Sequence, residues 1–155
     1  MSNKIRHYAI DTEFNGFFGG LISMALVDLY TNDEFYEVRT TSSIVLGGNL
    51  DCWVVENVLP YLGKEPIGDH SFKKELQTFL LKDQPEEIHI YADWPDDIRL
   101  FCEWVITGPG TCFNLPDVHF HFLNEASSNS SEVLHNALTD ARSIRDSVLR
   151  LKGFK

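Results

Sequence analysis

A chain of 155 residues, 43% hydrophobic and 23% charged, has the length and composition of one globular domain with an apolar core, residues 1–155. No apolar run approaches the ~18 residues needed to cross a bilayer, and a net charge of −10 argues against broad, non-specific binding to nucleic acid. Three cysteines, Cys52, Cys102 and Cys112, are scattered without a Cys-x-x-Cys pair, so neither a disulfide framework nor a zinc cluster is expected.

Residues 1–6 lead into a strand with no apolar leader segment, and a cytoplasmic protein is expected. The first strand is predicted over 5–11, where Tyr8, Ala9 and Ile10 run into Asp11. A second apolar run covers 21–28 and a third, roughly alternating, covers 35–40. Gly19-Gly20 and Thr31-Asn32-Asp33 mark the turns between them, which suggests an antiparallel meander. Helical spacing of Trp53, Val54, Asn57, Val58 and Tyr61 predicts a helix over 51–62; Phe72, Leu76, Phe79 and Leu80 predict another over 71–81. A short strand follows over 87–92. A helix is then predicted from Pro95 to about residue 106, stopped by Gly108-Pro109-Gly110. A fifth strand is expected over 118–123, a polar loop over 124–131, and a last helix over 135–151 with Leu138, Ala141, Ile144, Val148 and Leu151 on one face. The order β-β-β-α-α-β-α-β-α implies an α/β fold with a mixed sheet and helices on its faces.

Three acidic motifs carry chemical interest. Asp11-Thr12-Glu13 ends the first strand, and residues two apart in a strand point to one side. Two adjacent carboxylates repel each other, and a hard divalent cation such as Mg²⁺ or Mn²⁺ relieves that cost. Asp93-Trp94-Pro95-Asp96-Asp97 clusters three acids at a strand-to-helix junction, where capping and the helix dipole also favour acids. His135 and Asp140 open the last helix, with Ala141-Arg142 behind them, and about one turn separates the pair. Each motif alone also suits a solvated, acid-decorated element end.

Taken in order, these motifs resemble those of the DEDDh 3′→5′ exonucleases. The phrases Asp11-Thr12-Glu13-Phe14 and His135-Asn136-Ala137-Leu138-Thr139-Asp140-Ala141-Arg142 look most like the compact ribonuclease T-like exoribonucleases. The resemblance spans Ile10 to Arg142. It implies an RNase H-like mixed five-stranded sheet flanked by helices, with two Mg²⁺ or Mn²⁺ ions as cofactors. Asp11 would touch both ions, Glu13 and Asp140 would complete one site, and Asp97 would hold the second. The family often carries Asn-x-x-Phe-Asp at the middle motif, which this chain lacks. Asp97 is favoured there because Ile98, Leu100 and Phe101 follow it, and Asp93 stands as the alternative. His135 would accept the proton of the attacking water, a task suited to a side chain that ordinarily titrates near neutrality. Partners would be 3′ ends of single-stranded RNA or DNA, RNA favoured, with nucleoside 5′-monophosphates released; no membrane partner is expected, and a homodimer is left open.

Substrate contacts are read from residue type. Phe14 is the candidate to meet the terminal base, with Phe17, Phe18 and Trp94 as further aromatics and Arg142, Arg145, Lys73 and Lys74 as candidate phosphate contacts. His119 and His121 alternate on a strand but have no third ligand nearby in sequence, and are read as structural. Two competing classes remain: a catalytically silent RNase H-like interaction module and a two-carboxylate glycosidase.

Overall fold

A computed structural model describes residues 4–44, 48–123 and 135–153. Its centre is strand β1, Ile5–Phe14, which pairs antiparallel with β2, Leu21–Asp28, on one side and parallel with β4, Glu87–Ala92, on the other. β3, Glu34–Val38, pairs antiparallel with β2. After a two-stranded hairpin of β5, Ile106–Gly108, and β6, Thr111–Cys112, strand β7, Asp117–Phe122, pairs parallel with β4. The result is an α/β fold on a mixed five-stranded sheet in the order β3-β2-β1-β4-β7.

The helices are α1, Thr41–Ile44; α2, Cys52–Asn57; α3, Asp69–Leu80; α4, Pro95–Trp104; and α5, Ala137–Leu151. Both faces of the central strands are covered, while the edge strand β7 is largely exposed. On one, Phe72, Leu76 and Leu80 of α3 and Leu100, Phe101 and Trp104 of α4 close over Tyr8, Ile10, Met24, Leu26, Ile88 and Ile90. On the other, α5 lays Ala137, Ala141, Ile144 and Val148 on Ala9, Ala25 and Val27. Every residue of β2 is buried, as a strand covered on both faces requires, which is why it reads as an unbroken apolar run. Small side chains at the α5 crossing let the helix approach the sheet closely. Among the described residues no helix is long and apolar enough to cross a membrane.

Several boundaries differ from expectation, each for a local reason. β1 continues three residues past Asp11, because Thr12 and Glu13 still pair with Met24 and Ser23 before the register shifts at Phe14. The stretch 51–62 is not one helix: α2 stops at Asn57, and a 3₁₀ turn, Leu59–Tyr61, carries Pro60, which has no N–H to continue an α-helix. Of the residues at helical spacing there, Val54 and Val58 are buried, whereas Trp53 and Tyr61 are each 51% exposed. Gly108-Pro109-Gly110 is not only a helix stop but the turn of the β5–β6 hairpin, with Gly110 at φ +69° as the residue after a turn proline demands. The last helix begins at Ala137 on an Asn136 cap, so His135 lies outside it, and Leu151 is exposed. The polar stretch 124–131 lies outside the described residues.

Candidate active site: a carboxylate cluster with a histidine rim

Alternation along β1 puts Asp11 and Glu13 on one side of the strand and Thr12 on the other. Their antiparallel partners are Ala25 and Ser23, small residues that leave room above the strand. Asp140 comes down from the first turn of α5, and one carboxylate oxygen from each of Asp11, Glu13 and Asp140 falls within a 4.8 Å group. From the other side Asp93, just past β4, and Asp97, in the first turn of α4, bring an oxygen each within the same distance of Asp11. Asp11 therefore belongs to two carboxylate triads at once. Both Asp93 and Asp97 reach it, so the rival positions in the middle motif are neighbours in space.

The two aspartates are held differently. Asp97 is 2% exposed; its Oδ1 accepts from the Thr12 backbone N–H at 2.9 Å and from the Thr12 hydroxyl at 2.6 Å. Its Oδ2 is buried and accepts no hydrogen bond. Asp93 is half-buried at the strand end. Asp97 and Asp140 both occupy first turns, where the helix dipole favours negative charge.

That help is insufficient for so many acids. Burial, with Asp97, Glu13, Asp140 and Asp93 nearby, holds the Asp11 carboxyl well above the usual range. Burial, then Asp140 and Asp97, pushes Glu13 up to about 8. Burial, then Asp93 and Asp96, raises Asp97 to about 7 even against the Thr12 hydrogen bonds. Without a cation the cluster must keep protons that carboxyls ordinarily lose near pH 4. An all-oxygen donor set with an unsatisfied, buried Asp97 Oδ2 fits a hard divalent ion such as Mg²⁺ or Mn²⁺.

The cluster floors a cavity of about 650 Å³. His135 stands on its wall, at φ +61°, in the left-handed region immediately before the Asn136 cap. The Asn136 side chain accepts from Thr139 N–H at 3.2 Å and donates to the Tyr61 carbonyl at 2.8 Å, which fixes the turn. The His135 ring meets Trp53 edge-on, with centroids 4.8 Å apart. Phe14 and Trp94 also line the cavity, and Trp94 is 58% exposed.

Other residues expected at the site are elsewhere. Arg142 does not line the cavity: its guanidinium donates to both Glu34 oxygens at 2.7 and 2.6 Å. Lys73 lies over the Trp104 ring, and Arg145 pairs with Asp146 at 3.0 Å. Phe17 and Phe18 are exposed and do not line the cavity, with Arg99 5.9 Å over the Phe18 ring. Reasoning from periodicity missed Trp53 and Asp51, which also line it. An acid directly before a short helix is the available signal: Asp51 caps α2, accepting from Trp53 N–H, and so fixes where the helix that carries Trp53 begins. The expectation that His119 and His121 lack a further ligand nearby is corrected: donors from β4, not from their own strand, lie beside them, Glu87 and His89 at His119 and His89 at His121.

Compared with known proteins, the chain matches no protein-family model and no curated protein.

Proposed function

We propose that the chain is a metal-dependent 3′→5′ exonuclease of the DEDDh, RNase H-like kind, acting on single-stranded nucleic acid with RNA favoured and releasing nucleoside 5′-monophosphates. The observation that carries this reading is Asp11, shared between two carboxylate triads on the floor of an open cavity. Asp11, Glu13 and Asp140 would hold one Mg²⁺ or Mn²⁺ ion, and Asp11 with Asp97 a second, Asp93 standing beside them. When bound, such ions supply charge stabilisation on a scissile phosphate and activation of water.

The chain's own residues supply the rest. His135 is not part of either triad and stands at the rim, where it can take a proton from an attacking water. Trp53 sets the ring's orientation through its edge contact. Phe14 and Trp94 offer faces on which unpaired terminal bases can stack. The acidic floor repels a polyanion until cations neutralise it, so productive binding and metal binding are one event; this reconciles a net charge of −10 with a nucleic-acid substrate. The mixed five-stranded sheet, with an antiparallel β1-β2-β3 meander, parallel β4 and β7 and flanking helices, is of the α/β kind that the reading calls for.

The test is release of 5′-mononucleotides from matched RNA and DNA oligomers with free or blocked 3′ ends, with and without Mg²⁺. Release only from free 3′ ends and only with the ion is expected. Internal cleavage, or full activity after exhaustive EDTA treatment, would overturn the proposal.

A further inference from the structure

We propose that Glu87, His89 and His119 form a separate transition-metal site of the Zn²⁺ class, one that clips the edge strand β7 to β4. The parallel register sets Glu87 opposite Asp117, His89 opposite His119 and Tyr91 opposite His121, so these side chains share one face. Glu87 Oε1 lies 2.7 Å from His89 Nε2 and 3.2 Å from His119 Nε2, and all three donor atoms fall within 4.8 Å of one another. Two imidazole nitrogens and one carboxylate oxygen suit Zn²⁺, Ni²⁺ or Cu²⁺, whereas the cluster around Asp11 offers oxygens alone. The donor chemistry thus sorts two classes of ion to the two ends of β4. His89 and Asp93 are four residues apart, ~13 Å along a strand.

A metal-binding imidazole usually donates its other ring N–H to a fixed neighbour, which orients it. His89 has that neighbour: its Nδ1 is 2.7 Å from His121 Nε2. The His89 ring is also stacked between His7 and His119, at centroid distances of 4.6 and 4.8 Å. An ionised Glu87 can only accept, so free of metal the two 2.7 Å contacts fit a His89 that donates from Nε2–H to Glu87 and accepts at Nδ1 from His121 Nε2–H. With metal on Nε2, the His89 proton moves to Nδ1 and is donated to His121 Nε2, whose own proton moves to Nδ1; each ring keeps one proton. His89 is 17% exposed, Glu87 30% and His119 52%, so the third ligand and the outer side of the site face solvent, where water completes the coordination. β7 is an edge strand held to the sheet through β4 alone, and a metal bridge between the two would secure it.

The test uses the full chain in excess Mg²⁺, which fills hard-oxygen sites, with Zn²⁺ added to wild type and to His119→Ala, Glu87→Gln and Asp11→Asn. Calorimetry gives affinity, and long-range ¹H–¹⁵N spectra report each imidazole nitrogen. One equivalent of Zn²⁺ should shift the Nε2 resonances of His89 and His119 and slow amide exchange in β7. Affinity should fall at least ~10-fold in His119→Ala and Glu87→Gln and stay unchanged in Asp11→Asn. His119 is exposed enough that its removal leaves the fold intact, which the spectra check directly. The proposal is overturned by unmoved His89 and His119 nitrogens, by unchanged affinity in His119→Ala, or by binding lost in Asp11→Asn, which would place the zinc on the carboxylate floor.

Discussion

Thr12 holds Asp97 by two hydrogen bonds to a single oxygen, one from its backbone and one from its hydroxyl. Asp11, Thr12 and Glu13 thus divide their labour by alternation. Asp11 and Glu13 aim carboxylates over the strand, while Thr12 reaches through to the opposite face and fixes an acid arriving from α4. Because Oδ1 is occupied by Thr12, Oδ2 is the oxygen of Asp97 left for an ion.

Asp97→Ala should therefore cut turnover by ~10²-fold or more, since even partners of metal ligands carry ~10–100-fold, and Asp93→Ala should act more weakly. Thr12→Val removes one donor while keeping shape, and should cost about 1–3 kcal/mol of stability. The hydroxyl lowers the Asp97 carboxyl, so its loss should also move Mg²⁺ binding to higher pH. Single-turnover rates, denaturant melts and metal titrations at several pH values test all three. A dead Asp93→Ala beside an active Asp97→Ala would assign the middle motif to the wrong aspartate.

The sequence made the elements legible where periodicity was strong: β2, α3, β4 and α5 lie close to their expected positions. The floor of the site was legible too, since alternation places Asp11 and Glu13 together and helix starts favour acids. What local pattern could not show was convergence from distant elements. Helical spacing places Trp53 in a helix over 51–62 but does not show that, in the short α2 capped by Asp51, it stands on the cavity wall. Arg142 follows Asp140 closely, but two residues along a helix is about half a turn, and it faces Glu34 instead. The Glu87–His89–His119 group depends on the parallel register of two strands separated by a helix and a hairpin, which no local pattern encodes.

Metal-free protein should lose stability as pH rises. Glu13 and Asp97, at about 8 and about 7 in the folded state, lie above their ordinary values of 4.5 and 3.8. Folding therefore favours the protonated form. The stability this contributes is fully present below the ordinary carboxyl range and is lost as pH climbs through about 7 to about 8. Mg²⁺ or Mn²⁺ binds the ionised cluster, so the rise in Tm on adding either ion should be larger at pH 8 than at pH 5.5. A metal-free Tm that is flat or rising across that window would contradict the account.

Trp94→Ala should weaken substrate capture more than chemistry. The indole is 58% exposed and lines the cavity, and stacking contributes ~1–3 kcal/mol per base. KM for a short single strand should rise by about 10-fold or more, with Tm unchanged. Phe17→Ala is the control, because Phe17 is 93% exposed and outside the cavity. Equal effects from both variants would show that the aromatics act through general surface attraction rather than a seat for a base.

His135 separates a catalytic role from a structural one, because its backbone gives the two roles different signatures. It adopts φ +61°, which costs a side chain of this kind roughly 1 kcal/mol and glycine nothing. Against that, glycine gives up the edge contact with Trp53, worth about 0.5–1.5 kcal/mol, and gains freedom in the unfolded chain. These terms oppose each other, so His135→Gly should remain within about 1 kcal/mol of wild type in a denaturant melt. Metal affinity should also persist, since His135 belongs to neither carboxylate triad. Turnover should nonetheless fall by ~10²–10⁴-fold, the usual share of a general base. The glycine leaves a space on the cavity wall beside Trp53, and added imidazole should occupy it and restore part of the rate. Asp140→Ala should show the opposite pattern, with weakened metal binding and no rescue by imidazole. Single-turnover kinetics with and without imidazole, beside calorimetric titration of both variants, make the comparison. Wild-type turnover in His135→Gly would make the histidine a turn residue only and remove the proton acceptor from the proposed reaction.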